Sequence, residues 1–146
     1  MIFHLEESVE IYKSGRMNCY CQSGRTFGAC CEPYLGGDQS APSAEKLMRS
    51  RYSAFCTKNI DYVEETTDPQ GDFDREAALG WMNEAEFWKL EILKSSEEGT
   101  KGVVEFKAYF RTPAGEQIHH EVSRFRKQAG VWFFRDGRVI APPPPV

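Results

Sequence analysis

From Trp88 onward, apolar side chains recur at every second position. Trp88, Leu90 and Ile92 alternate with Lys89, Glu91 and Leu93, and Val104, Phe106, Ala108 and Phe110 alternate with Glu105, Lys107, Tyr109 and Arg111. A period of two belongs to a strand with one face buried and the other wet. Gly99 and Gly102 bracket the first turn, Pro113-Ala114-Gly115 make the second and Ala129-Gly130 the third. They leave room for a third strand from about Gln117 to Lys127 and a fourth over Val131-Trp132-Phe133-Phe134, ended by Asp136-Gly137. The pattern predicts an antiparallel meander of about four strands.

Ahead of Trp81 the period is helical. Leu47, Met48, Arg51, Tyr52 and Phe55 share one face, with Ser43 as N-cap and Glu45 in the first turn, where the helix dipole favours an acid. Arg51 lies inside that apolar stripe, so its head needs a carboxylate or carbonyl partner unless its stem snorkels to water. A short second helix carries Ile60, Tyr62 and Val63 and stops at Asp68-Pro69; a third runs from about Asp74 to Asn83, with Ala77, Ala78 and Trp81 as its apolar side. Helices first and a meander last make an α+β layout. Four stretches follow: an N-terminal extension (1–17), a cysteine-rich module (18–35), the α+β unit (36–140) and a proline-rich tail of polyproline character (141–146).

Composition narrows the picture. A chain of 146 residues accommodates one domain and a small module, and 13% aromatic residues argue for a packed core. A net charge of −4 gives no global drive toward nucleic acid or an anionic membrane. The first seven residues lack the basic and apolar regions of a signal peptide, and no run approaches a membrane span of about 18 apolar residues. The expectation is a cytoplasmic protein with no membrane partner.

The densest chemistry lies in Cys19-Tyr20-Cys21 and Cys30-Cys31, a C-x-C-x8-C-C spacing. Four thiolates suit one tetrahedral zinc. Disulfides between the two pairs would need an oxidising compartment, and free thiols are the third reading. Ser23-Gly24-Arg25 reads as a turn whose N–H groups point toward thiolate sulfur. Lys13, Arg16 and Arg25 surround the cluster, and residues 11–31 contain no Asp or Glu. These bases either offset the negative charge of a zinc–thiolate site and offer a docking rim, or are ordinary surface. A closed four-cysteine site is structural rather than catalytic. Cys56, beside Phe55, reads as a small buried hydrophobe.

C-Y-C-Q-S-G-R-T-F-G-A-C-C resembles the SEC-C zinc motif, whose usual form is C-P-C-G-S-G followed by a basic stretch and C-C or C-H. With C-C-E-P-Y-L-G-G, A-E-K-L-M-R-S-R-Y-S-A-F, V-V-E-F-K-A-Y-F and S-R-F-R-K-Q-A-G-V-W-F-F-R-D-G, residues 18–138 resemble the YchJ family of small bacterial proteins. The resemblance implies one structural zinc and, after it, a nuclear transport factor 2-like cone: helices wrapped by a curved sheet around a cavity. Domains similar to this cone often pair through their sheets, which makes a homodimer an expectation. Tyr20 and Gln22 depart from the usual Pro and Gly, Thr67-Asp68-Pro69 stands where relatives tend to have Trp-His-Pro, and a proline run replaces a second SEC-C copy.

On the third strand, alternation puts His119, Glu121 and Ser123 on the face of Phe106, with His120 on the other. Arg51, Tyr52, Phe106, His119, Glu121 and Ser123 are the pocket candidates, with Glu121 expected to pair with Arg51 across the interior. Three functions are in view. In the leading one, a zinc-binding adaptor docks a protein or ribonucleoprotein through Lys13, Arg16 and Arg25, with a small ligand in the cone, and no residue is nominated as catalytic. In the second, an enzyme uses Glu121 as base, Tyr52 or Ser123 as donor, and Arg51 to orient an anionic substrate. The third is a structural or metal-handling role.

Overall fold

The computed structural model describes residues 16–143. After the cysteine module come α1 (Glu32–Leu35), α2 (Ala44–Thr57), α3 (Ile60–Glu65) and α4 (Arg75–Glu84), then β1 (Glu86–Glu98), β2 (Lys101–Thr112), β3 (Gly115–Gln128) and β4 (Val131–Val139). The strands form one antiparallel sheet in the order β1-β2-β3-β4. The expected α+β layout, with helices on one face of a four-stranded meander, is present.

Each long helix starts on a side chain that satisfies an otherwise orphaned N–H. Ser43 Oγ accepts from Lys46 N–H at 3.1 Å, Asn59 Oδ1 from Tyr62 at 3.1 Å and Asp74 Oδ1 from Ala77 at 3.0 Å. α2 is buried on more than its apolar stripe. Leu47, Met48, Arg51 and Tyr52 are joined in the interior by Ser50, Ser53 and Ala54. Ser50 hydrogen-bonds the Leu47 carbonyl at 2.9 Å and the Tyr62 hydroxyl at 2.7 Å, so α3 is fastened to α2 by a satisfied polar contact.

The sheet differs from the sequence expectation at three places. A bulge between Phe87 and Lys89 turns Phe87 inward, opposite Phe110, and leaves Trp88 39% exposed against Tyr109 and Arg111. Trp88 therefore does not share the inner face with Leu90 and Ile92; either aromatic of Phe87-Trp88 satisfies the pattern, and the pairing register chooses between them. Asp136-Gly137 does not end the last strand, because β4 runs on to Val139 after a register shift opposite Arg124/Phe125. Asp136 instead pairs with Arg124, at 2.6 Å from Nε to Oδ1. Gly102 lies in β2 rather than at the turn, where a Cβ would sit 2.6 Å from Ala44 Cβ; its absence lets α2 approach the sheet.

The free edge of β4 is partly closed by the segment after α3. Thr66 O accepts the Phe134 N–H at 2.8 Å, and Asp68 N–H donates to Phe134 O at 2.8 Å. Asp68 is 2% exposed, with Oδ2 3.2 Å from Arg126 Nε and 3.9 Å from Arg135 Nε. The contact is an ion pair without hydrogen-bond alignment.

Candidate functional site

The knuckle is a miniature hairpin. Asn18 bridges Thr26, Cys19 N–H donates to Arg25 O at 2.9 Å and Phe27 N–H to Met17 O at 2.7 Å. Gly24 takes a φ of +88°, and Gln22, where the related motif has Gly, is held at +61°. A 3-10 turn at Phe27–Ala29 delivers Cys30 and Cys31, and α1 follows with Pro in its first turn.

The sulfurs of Cys19, Cys21, Cys30 and Cys31 lie within 4.8 Å of one another. Cys21 and Cys30 are 3.6 Å apart, Cys30 and Cys31 3.9 Å. Four sulfurs at about 2.3 Å from a tetrahedral metal are separated by about 3.8 Å, so the cluster could hold one metal ion. A disulfide needs about 2.05 Å, and all four thiols are free. Cys21 is pushed well down by hydrogen bonds from the Cys19 and Cys31 thiols. Cys31 is pushed up by its bonds to Cys19 and Cys21, and Cys30 by burial. The four sulfurs are crowded at metal-ligand separation. Ser23 Oγ lies 3.2 Å from Cys30 Sγ, and a Ser23 backbone hydrogen bond also lowers Cys21, as a turn of N–H groups around sulfur requires.

The knuckle is seated on the cone. Arg49 of α2 donates from Nη1 to Cys21 O at 2.8 Å and from Nε to Glu45 at 3.1 Å. Ser53 Oγ is 3.7 Å from Cys19 Sγ, and Gln22 Nε2 donates to Trp88 O at 2.8 Å. Sequence reasoning passed over Arg49 and Ser53 because they lie off the apolar stripe; their spacing of four residues on one helix face was the available signal. Of the rim bases, Arg25 is exposed beside a cleft of about 220 Å³ shared with Ser23, Cys30, Tyr34, Lys46 and Arg49. Arg16 is exposed, and Lys13 lies outside the described residues. Cys56 is half-buried; burial pushes its thiol up to about 12.

A second cavity, of about 240 Å³, opens between α2, α4 and the inner face of the sheet. Its walls are Met48, Tyr52, Phe55, Phe73, Trp81, Phe87, Phe106 and Phe134, and its polar groups include Arg51, Asp74, His119, Glu121 and Ser123. All six pocket candidates line it. Trp81 is the hub of the rings, 5.2 Å from Phe55, 5.3 Å from Phe87 and 4.9 Å from His119.

The expected Arg51–Glu121 ion pair is absent. Arg51 donates from Nη1 to Val63 O at 2.8 Å, Thr66 Oγ1 at 2.8 Å and Thr67 Oγ1 at 3.1 Å, and its guanidinium lies 4.5 Å from the centre of Phe134. The end of α3 presents a carbonyl and two hydroxyls nearer than Glu121, and sequence spacing could not foresee which acceptors the fold brings there. Glu121 is held by His119, with Nε2 2.8 Å from Oε1, and by Ser123, whose hydroxyl donates to Oε2. Burial opposes the Glu121 charge, but these two bonds and the nearby Arg51 outweigh it and hold the carboxyl below the usual range. Burial lowers Arg51 to about 10, partly countered by Glu121, so it stays charged at neutral pH. His120 points to the opposite face, 2.7 Å from Glu105. Gly137, read as a turn residue, makes room for the chain above it, since a Cβ there would fall 2.5 Å from Glu121 Cδ.

Residues 43–137 match the YchJ middle domain, which is nuclear transport factor 2-like. A UPF0225 protein of Geobacter sulfurreducens is 42% identical over 133 residues, spanning 88% of this chain and 83% of its own. The solution structure of a SEC-C motif containing protein from Rhodopseudomonas palustris superposes with a TM-score of 0.80 at 48% identity, covering 86% of this chain and 100% of that one. The crystal structure of a SEC-C motif containing protein from Psychrobacter arcticus gives 0.75 at 32%, covering 90% and 87%. No helix among the described residues is long and apolar enough to cross a membrane. With a four-cysteine SEC-C motif seated on a nuclear transport factor 2-like cone, the chain belongs to the YchJ family.

Proposed function

We propose that the protein binds a small molecule in its cone, and that a structural zinc in the Cys19, Cys21, Cys30 and Cys31 cluster holds the knuckle that braces the cone's main helix. The observation that carries this reading is the cavity: about 240 Å³ walled by rings, with polar groups converging on it. A domain selected for stability alone would fill such a space, since each void forfeits packing contacts. Four thiolates at tetrahedral spacing favour zinc and leave it no open position, so its role is to fold the knuckle. A reducing cytoplasm suits that ligand set. The α2 face that carries Arg49 and Ser53 toward the knuckle belongs to the helix that carries Arg51, Tyr52 and Phe55 into the cavity.

Elemental analysis of protein purified without chelator, with Cys30→Ser beside it, tests the metal: one zinc per chain, lost in the variant, is expected. Native mass spectrometry of the same protein, and its thermal midpoint with and without toluene, test the cone. Absence of both a copurifying ligand and a shift with the probe would sink the cavity reading.

A second reading has its own observation. Met17, 55% exposed, and Tyr20, 38% exposed, stand on the knuckle with Arg25, and large apolar side chains and arginines are the residues that dominate interfaces. The knuckle would then dock a protein or ribonucleoprotein partner. A defined partner retained by wild type and lost by Tyr20→Ser, with circular dichroism unchanged, supports docking; equal retention by both proteins removes it.

A further inference from the structure

We propose that the cavity selects an uncharged, single-ring molecule bearing a carbonyl oxygen and an N–H or O–H donor, such as a carboxamide, a lactam or a hydroxy-ketone. This rests on the reading of the cone as a ligand site and adds the chemical class of what it holds.

Charge balance decides against ions. Arg51, 8% exposed, and Glu121 carry opposite charges in one cavity, whereas Asp74 is exposed at its rim with Oδ1 capping α4. A bound anion would gain Arg51 but face Glu121 in a poorly solvated space. A bound cation would gain Glu121 but face Arg51. One ring face that could attract it, that of Phe134, is already taken by Arg51, 4.5 Å from the ring centre. An uncharged dipole disturbs neither group.

Hydrogen-bond capacity sets the polarity of that dipole. A guanidinium only donates, and the hydrogen bonds Arg51 makes among the described residues all leave from Nη1. Nε and Nη2 therefore call for an acceptor such as a carbonyl oxygen. An ionised carboxylate only accepts. Each Glu121 oxygen has one partner, His119 or Ser123, and a remaining lone pair that calls for a donor. Size sets the rest: an apolar cavity of about 150 Å³ holds benzene, so about 240 Å³ takes a ring with a short substituent. Trp81, Phe87 and Phe106 offer it edges and faces.

The test titrates the metal-loaded full chain with benzamide, benzoate, benzylamine and toluene, reading dissociation constants from the Trp81 indole resonance. Benzamide should bind about tenfold or more tightly than either ion. Glu121→Gln keeps the shape and leaves Arg51 without its counter-charge, so the benzoate-to-benzamide affinity ratio should rise about tenfold or more; a merely structural Glu121 would weaken all four probes alike. Tighter binding of either ion by wild type, or an unchanged ratio in the variant, overturns the proposal. Toluene binding as tightly as benzamide overturns it too, but leaves the cone a ligand site. Binding of none of the four removes both. The wild-type ranking stands even if the variant folds poorly.

Discussion

At Ala129 the backbone takes a φ of +51° and at Gly130 of +80°, the two-residue turn whose twist matches its flanking strands. Glycine enters the left-handed region freely; alanine does so against its Cβ. Ala129→Asn should therefore raise stability by about 0.5–1 kcal/mol, measured by urea denaturation with the m-value unchanged. Gln22 bears the same strain at +61°, but its amide earns a bond to the Trp88 carbonyl that ties the knuckle to β1. Glu121 is the residue whose chemistry depends most on its surroundings. Its carboxyl is depressed in the fold, so the stability it contributes is complete above the unfolded value near 4.5 and is lost as pH falls through the lower folded value. Glu121→Gln should flatten that part of the acid limb, read as denaturation midpoints across pH 3–6. Gly137→Ala would drive a methyl into the same side chain and should cost about 1–3 kcal/mol while shifting the His119 ring resonances.

Among the elements, α2 has the most to satisfy. Its cap, its apolar stripe and its dipole-matched Glu45 were legible because they are local: each depends on residues within a turn of one another. What the stripe did not disclose is that α2 is buried on further sides, with Ser53 under the knuckle and Ser50 under α3. The strands were legible by period, but their phase was not. Phe87-Trp88 offers two inward aromatics, and Asp136-Gly137 looks like a turn until pairing with β3 carries β4 past it. Asp68 is the clearest case of an element made by distance. In the chain it reads as a helix stop before Pro69; in the fold its carboxylate clasps Arg126 and Arg135 and its N–H closes the edge of β4. Asp68→Ala leaves half-exposed arginines over a vacated site and should cost about 1–3 kcal/mol in chemical denaturation.

At the scale of the molecule, knuckle and cone share one buried cluster. Cys19, Cys21, Cys31 and Phe27 pack in continuity with Leu47, Met48 and Tyr52. Metal loss should therefore not unfold the knuckle alone. Chelation, or Cys30→Ser, is expected to move the whole thermal transition to lower temperature by several degrees, as one cooperative step followed both by far-ultraviolet circular dichroism and by Trp81 fluorescence. Two separated steps, or a knuckle transition that leaves the cone midpoint in place, would show the modules to be independent.

The chain by itself determined what short-range chemistry can encode. Paired cysteines separated by a glycine turn make a four-thiol cluster, helical and two-residue periods make the α+β layout, and strand alternation sends His119, Glu121 and Ser123 to one face and His120 to the other. Only the tertiary structure decided who meets whom. Arg51 found the Val63 carbonyl and two threonines instead of Glu121, and Glu121 found His119 and Ser123. The reason is that a period places a side chain on a face, whereas its partner depends on register, bulges and helix docking, which are settled by long-range packing.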